Sequence, residues 1–233
     1  MNNFIVAEIG VNWDGDFDLV YDMILKSKEC GCNAVKFQAF DEKIVKNHPE
    51  KSRLMKSSIS KENIEKINDL AKIVGIEWFC TPMYQEAVEM VNPFVKRFKI
   101  RYFDGVTLFN NGSSKLLEQV FKTKKEVIIS SQKSPKETKY FQKPNIKWLY
   151  CVPKYPCSLE ELDFKNLRDF NGYSNHCPNI VAPLTAAILK SEIIEVHVTL
   201  NKSKKFIDNN VSFDFDELKN LVELIRQCEK INR

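Results

Sequence analysis

A chain of 233 residues, 43% hydrophobic and 28% charged, has room for one large α/β domain whose core needs no disulfides. Its 35 basic and 31 acidic residues leave a net charge of +4, dispersed in short runs such as KTKK (122–125) and KSKK (202–205), so charge makes no case for nucleic acid or a membrane surface. Nothing approaches the roughly eighteen consecutive apolar residues of a membrane span. The N-terminus lacks the basic region of a signal peptide, and the seven cysteines, with no CxxC pair, read as buried free thiols, so a reducing, cytoplasmic location is the expectation.

Short β-rich runs alternate with amphipathic stretches from end to end. FIVAEI (4–9) is the first predicted strand. In LVYDMILKSKECG (19–31), Leu19, Met23 and Ile24 share a helical face and Gly31 is a stop. AVKFQAF (34–40) is the second strand. The connection 41–59, with His48-Pro49 and many lysines, is long enough to be read as functional or mobile. SKENIEKINDLAKIVG (60–75) starts at Ser60, sets Ile64, Ile67, Ala71 and Val74 on one face, and stops at Gly75. EWFCTP (77–82) and RFKIRY (97–102) are strands, SSKLLEQVFK (113–122) a helix, and EVIISS (126–131), IKWLYCV (146–152) and GYSNH (172–176) strands, the last the poorest in strand-forming residues. VAPLTAAILK (181–190) reads as a helix and IIEVHVTL (193–200) as the eighth strand. DFDELKNLVELIRQCEKI (214–231) is a closing helix with Asp214 as N-cap, Glu217 three residues on, and a stripe of Leu218, Leu221, Leu224 and Ile225. Several strands are nearly continuous in apolar character, as parallel strands buried on both faces are. With no linker or composition break, the pattern predicts one domain over 1–233, an α/β (β/α)8 TIM barrel, with a doubly wound open sheet as runner-up.

In such a barrel, function gathers at the C-terminal ends of the strands. Polar and ionisable residues collect there: Glu8, Lys36, Gln38, Thr81, Lys99, Arg101, Ser130, Tyr155, Ser174, His176, Glu195 and His197. Each costs free energy in a buried strand unless it finds a partner, so together they point to a shared polar site. Lys99 and Arg101, two residues apart, face the same way and could frame an anion site with Ser130 and Ser174; Arg101 could equally turn outward and pair with an acid. Glu8 and Glu195 are acid/base candidates, or partners of Lys36 and Lys99 in structural ion pairs. His176 and His197 would end adjacent strands about 4.8 Å apart and could share one Mn, Fe, Co or Zn ion. Spacing alone leaves them open between that role and hydrogen-bonded core histidines. The sequence holds no GxSxG, P-loop, HExxH or βα-turn GxGxxG motif, which argues against serine hydrolases, NTPases and dinucleotide enzymes.

AEIGVNWDGD (7–16), AVKFQAF (34–40), FCTP (79–82), LYCVPKYP (149–156), GYSNH (172–176) and IEVHVTL (194–200), in this order, resemble the sialic acid synthase family. That family includes N-acetylneuraminate, legionaminate and pseudaminate synthases. FIDNNVSFDFDELKNLVELIR (206–226) resembles its following segment, so the resemblance runs from about residue 4 to 226. It implies a (β/α)8 barrel, a divalent metal (usually Mn²⁺), and two substrates, phosphoenolpyruvate and an open-chain N-acyl amino sugar, in surface-glycan biosynthesis. It assigns the metal to His176 and His197. It assigns the phosphate and carboxylate of phosphoenolpyruvate to Lys36, Lys99, Ser130 and Ser174, with Arg101 a substitute anion donor. Glu8, Tyr155, Glu195 and Asp208 would face the sugar or the reacting centre, Glu8 as a candidate general base. In the implied reaction C3 of phosphoenolpyruvate attacks the sugar aldehyde, polarised by the metal, water adds at C2, and phosphate leaves with C–O cleavage.

The sequence also departs from the family pattern. Trp13 stands where the family usually has His, and Lys-Ile-x-Ser-x-Glu becomes Lys99-Ile100-Arg101-Tyr102-Phe103-Asp104. Ser-Thr-Gly-Met becomes Ser130-Ser131-Gln132-Lys133, His-Cys-Thr becomes Tyr150-Cys151-Val152, and Pro153 replaces a polar residue before Tyr155. Ser-Asp-His-Thr becomes Ser174-Asn175-His176-Cys177, and Gly-Pro-Asp-His becomes Phe206-Ile207-Asp208-Asn209. The family's C-terminal antifreeze-like domain, which in relatives lends an arginine to the partner's active site, and its N-terminal extension are read as lacking. The expectation is a divergent, minimal synthase, homodimeric as the family tends to be. The alternatives are a metal-dependent barrel aldolase or lyase on 2-oxo acids, and a catalytically silent barrel serving as a binding subunit.

Overall fold

A computed structural model describes residues 2–231. Its eight strands are Phe4–Gly10 (β1), Ala34–Ala39 (β2), Glu77–Pro82 (β3), Arg97–Ile100 (β4), Glu126–Ser131 (β5), Ile146–Tyr150 (β6), Gly172–Asn175 (β7) and Ile193–His197 (β8). They run parallel in sequence order and close into a barrel through β8 and β1, where Phe4 pairs with Ile193 and Glu8 with His197. The predicted barrel is the observed fold, and the open-sheet alternative falls. Strand 4 is shorter than expected: it ends at Ile100, and Arg101 caps the next helix.

The helices are Phe17–Glu29 (α1), Lys51–Ser57 (α2), Ile64–Val74 (α3), Gln85–Val91 (α4), Tyr102–Gly105 (α5), Lys115–Lys122 (α6), Val181–Ile188 (α7) and Phe215–Ile231 (α8). The Asp16 carboxylate accepts from the amides of Asp18 and Leu19 and starts α1 two residues earlier than hydrophobic spacing placed it. Gly31, at φ 87°, turns the chain into β2 as expected of a C-terminal stop. At α8, Asp214 accepts from the Glu217 amide and the Glu217 carboxylate accepts from the Asp214 amide, which is the capping box read from the sequence. Helix α3 begins at Ile64 rather than Ser60, because Ser60 and Asn63 bond each other across a turn. α2, α4 and α5 were not predicted; α2 and α4 have seven residues each and α5 has four, too short to show periodicity.

Two connections lack α-helices. β5 leads to β6, and β6 to β7, through 3-10 turns at Pro135–Glu137, Leu159–Glu161 and Phe164–Asp169. There the outer barrel face is covered by rings instead. Tyr150 meets Phe164 and Phe170 at centroid distances of 5.7 and 5.6 Å, and Phe164 meets Tyr173 at 5.1 Å. Aromatic side chains carry enough area to replace a helix at this layer. At the opposite end of the barrel Arg97 lies between Glu77 and Glu126, 2.6 and 2.5 Å from their carboxylates, and over the Phe4 ring. All seven cysteines are free and five are buried. No described helix is long and apolar enough to cross a membrane.

Candidate active site

A cavity of about 560 Å³ opens at the C-terminal end of the barrel, and every residue read from the sequence as a site candidate lines it: Glu8, Lys36, Lys99, Arg101, Ser130, Tyr155, Ser174, His176, Glu195, His197 and Asp208. The alternation of strands explains the gathering. Val6 and Glu8, Lys36 and Gln38, Ser174 and His176, and Glu195 and His197 are spaced by two, so each pair faces the same side of its strand. Residues of the alternate register, Tyr173 beside Ser174 and Tyr150 beside Cys151, stay out of the cavity and stack on each other.

The floor is a closed network of charge. Lys36 Nζ lies 3.1 Å from Glu8 Oε2 and 3.4 Å from Glu195 Oε1, and donates to Thr81 Oγ1 at 3.3 Å. Lys99 Nζ donates to Glu195 Oε1 at 2.6 Å, and Ser174 Oγ donates to the same oxygen at 2.8 Å. Gln38 Nε2 donates to Glu8 Oε1 at 2.7 Å. Two ammonium groups against two carboxylates balance, which is what permits all four side chains to be buried. Burial opposes the charge on Glu195, but Lys36 and Lys99 outweigh it and hold the carboxyl well below the usual carboxylate range. Burial also opposes the charge on Lys36, yet Glu195 and Glu8 raise it above the ordinary lysine value. For Lys99 burial prevails over Glu195, so it is the more easily deprotonated of the two. These residues are therefore ion pairs, and the pairs line the cavity. Glu195 Oε2 and the Ser130 hydroxyl are buried without any hydrogen-bond partner. Such atoms cost free energy and mark places where a ligand or water belongs.

The histidines stand beside this floor, ring centroids 5.5 Å apart. His176 Nδ1 lies 2.7 Å from the Val152 carbonyl. That contact puts the proton on Nδ1 and leaves the Nε2 lone pair free, the arrangement of a metal-ligating histidine. Burial, then the nearby His197, push the His176 pKa down to about 3, so its ring is neutral. His197 Nδ1 is buried, has no hydrogen-bond partner, and lies 3.3 Å from Asp208 Oδ2. Tyr155 lies over the His176 ring at 3.9 Å. The donor set fits a divalent cation with open positions; among the described residues no group of three His, Cys, Asp or Glu side chains forms a complete cage.

Arg101 reaches the cavity, but its Nε donates to Asp104 Oδ2 at 2.6 Å, the acid pairing left open by the sequence. Trp13 is fully buried, donates to the Gly10 carbonyl and packs on Phe17 and Phe37, away from the cavity lining. Sequence reasoning missed Cys151, whose thiol burial pushes up to about 12, and a set of apolar lining residues that includes Val11, Phe40 and Met83. The last three each stand just past a strand end, which was the available signal.

Over residues 23–233 the chain matches the model of the NeuB family. It is 32% identical to the uncharacterized protein MJ1065 of Methanocaldococcus jannaschii, the match covering 98% of this chain and 71% of that one. It is 29% identical to N,N'-diacetyllegionaminic acid synthase of Legionella pneumophila, covering 99% of this chain and 73% of the relative. The crystal structure of N-acetylneuraminic acid synthetase from Leptospira borgpetersenii in complex with citrate superposes with a TM-score of 0.87 at 26% identity, over 100% of this chain and 85% of that one.

Proposed function

This chain belongs to the NeuB family and is a sialic acid synthase-like barrel, and we propose that it condenses phosphoenolpyruvate with the open-chain aldehyde of an N-acyl amino sugar, giving a 2-keto sugar acid and phosphate. The observation that carries the reading is the juxtaposition of Lys36, Lys99 and the unpartnered Ser130 hydroxyl with the neutral imidazole of His176 in one cavity. Phosphoenolpyruvate brings a phosphate and a carboxylate to one small carbon frame. Lys36 and Lys99 supply the charge to hold them, and Ser130 and Ser174 supply hydroxyl donors. Citrate in the Leptospira relative is likewise a compact polyanion.

His176 and His197 would hold a divalent cation, Mn²⁺ by the family resemblance. When bound, that ion supplies Lewis-acid polarisation of the sugar carbonyl. The chain's own residues do the rest. The Asp208 carboxylate stands 3.3 Å from His197 Nδ1, and Tyr155 borders the place where the aldehyde must lie. A bond forms between C3 of phosphoenolpyruvate and the aldehyde carbon, whose oxygen becomes a hydroxyl. Water adds at C2 and gives its proton to a carboxylate, for which Glu8 is placed on the floor beside Lys36. The C2–O bond then breaks, phosphate leaves with the electron pair, and C2 becomes the ketone.

The test is incubation of purified protein with phosphoenolpyruvate labelled with ¹⁸O in the C2–O–P bridge, Mn²⁺ and a panel of N-acyl amino sugars. Phosphate carrying the label and a matching 2-keto acid are expected. No phosphate with any sugar would overturn the reading.

A further inference from the structure

The cavity has two chemically different halves. Its floor is the charged network. Above it, on the side of β8, β1, β2 and β3, the lining is Val11, Phe40, Val45, Leu54, Met83 and Ile207. These six pack on one another, with Met55, as an apolar cluster separate from the barrel core. The wall begins beside the histidines, because Ile207 precedes Asp208, which pairs with His197. It continues onto the 41–63 connection, which is seated firmly. Arg53 donates two hydrogen bonds to Asp14, at 2.7 and 2.6 Å, and lies over the Phe206 ring at 5.9 Å. Gly15, at φ 80°, lets the loop after β1 back onto Lys56, where a Cβ would come within 3.0 Å of the Lys56 carbonyl oxygen.

The segment 41–59 carries five cationic side chains, Lys43, Lys46, Lys51, Arg53 and Lys56, and none of them lines the cavity. Lys51 pairs with Glu42, and Arg53 is held by Asp14. What the segment presents inward is Ile44, Val45 and Leu54, with His48 the one titratable group it adds to the lining, itself an exposed residue. Asp208 adds a carboxylate at the near end.

We propose that this wall receives the far end of the acceptor and selects an aldose whose end opposite the aldehyde is deoxygenated and unphosphorylated, over one ending in a hydroxymethyl or a phosphate. The inference rests on the reading of the site as one that condenses an aldose. With the aldehyde at the histidines and phosphoenolpyruvate on Lys36 and Lys99, the rest of an extended acceptor has the apolar wall to run along. A terminal methyl gains contact area there. A terminal hydroxyl loses water against a wall whose only polar side chains are His48 and Asp208 at its edges, and a phosphate meets apolar carbon and the Asp208 carboxylate, the arginine of the lining, Arg101, being already paired with Asp104.

The test uses three probes, N-acetylmannosamine, its 6-deoxy analogue and its 6-phosphate, titrated by ligand-observed NMR into the protein with Mn²⁺ and no phosphoenolpyruvate. The 6-deoxy sugar is expected to bind about ten- to a hundredfold more tightly than the 6-hydroxy sugar, the range over which an apolar pocket rejects an added hydroxyl. The 6-phosphate should bind more weakly than either. Leu54→Lys and, separately, Val45→Lys should raise affinity for the 6-phosphate at least tenfold, each variant first shown by thermal melting to be folded. Equal binding of the three, preference for the 6-phosphate, or failure of the 6-deoxy sugar to bind overturns the proposal. If the 6-deoxy sugar binds best but phosphoenolpyruvate yields no phosphate with it, the condensation reading fails and the wall stands. If all three sugars release phosphate with equal kcat/KM, the wall fails and the condensation stands.

Discussion

Lys99 has one carboxylate partner, Glu195, at 2.6 Å, whereas Glu195 also lies 3.4 Å from Lys36, which keeps Glu8 at 3.1 Å. The pair is therefore unequal. Glu195→Met strands Lys99 as an unpaired buried cation and is expected to lower the free energy of urea unfolding by about 3–5 kcal/mol. Lys99→Met leaves Glu195 with Lys36 and should cost less. The double variant should recover most of the loss from Glu195→Met, since Lys36 and Glu8 still balance. A double variant no more stable than Glu195→Met alone would contradict this picture. All three should fail to release phosphate.

His176 predicts an acid limb to the stability of the metal-free protein. An unfolded histidine takes up its proton near pH 6.5, while the folded His176 stays neutral until about pH 3. Between those values the unfolded state binds more protons, so stability falls as pH falls, by about 1.4 kcal/mol per pH unit. Glu195, held below the usual carboxylate range, adds its own loss only below the unfolded carboxyl value of about 4.3. Urea midpoints measured with a chelator present should decline from pH 6.5 downward, and His176→Asn should flatten the stretch above pH 4.5. Parallel curves for the two proteins would rule out His176 as the source.

Metal affinity should depend on the chain in a graded way. His176→Ala and His197→Ala each remove an imidazole and are expected to abolish saturable Mn²⁺ binding in the micromolar range, read by the spin-resonance signal of free Mn²⁺. Asp208→Asn keeps both rings but weakens the group facing His197 Nδ1, and should cost about 10- to 100-fold in affinity. Removing the metal with EDTA should stop phosphate release, and added Mn²⁺ should restore it. Wild-type Mn²⁺ affinity in Asp208→Asn would take Asp208 out of this role.

The barrel was legible because eight short apolar runs alternate with amphipathic stretches along the chain, and its floor because polar residues interrupt those runs. Glu8, Lys36, Glu195 and His197 stand out as polar residues in strands that otherwise read as apolar, and burying them all at one end requires mutual pairing. Arg101 was harder. Its spacing from Lys99 holds only while the strand continues, and β4 stops one residue earlier, so the guanidinium finds Asp104 on α5. The apolar wall was not legible at all, since Val45 and Leu54 lie in a connection whose lysines dominate its composition while its few apolar residues turn inward. The stretches without an α-helix between β5 and β7 were hidden for a related reason: single rings such as Phe164 and Phe170 cover what an α-helix would, without leaving a periodic trace.

The start of β7 gives the sharpest structural prediction. Gly172 pairs with Leu149 on β6 and Ile193 on β8, with no room for a side chain at that point. A Cβ at this position would overlap the Ile193 carbonyl oxygen and come 2.9 Å from Leu149 Cδ2. The obstacle is backbone, which cannot swing aside as a long side chain would. Gly172→Ala must therefore push β7 away from β8, and with it Ser174 and His176 away from Glu195 and His197. The expected outcome is a loss of at least about 3 kcal/mol, in the range of strongly destabilising core changes. In any fraction that folds, Mn²⁺ affinity should fall along with stability, because the histidine pair spans these two strands. The helix C-terminal Gly75, also glycine but with nothing within 4 Å of its Cβ position, is the control. Gly75→Asn should change stability by under about 1 kcal/mol, since asparagine tolerates the left-handed conformation. If Gly172→Ala is as mild as Gly75→Asn in thermal melts, the β7–β8 approach is not as tight as described.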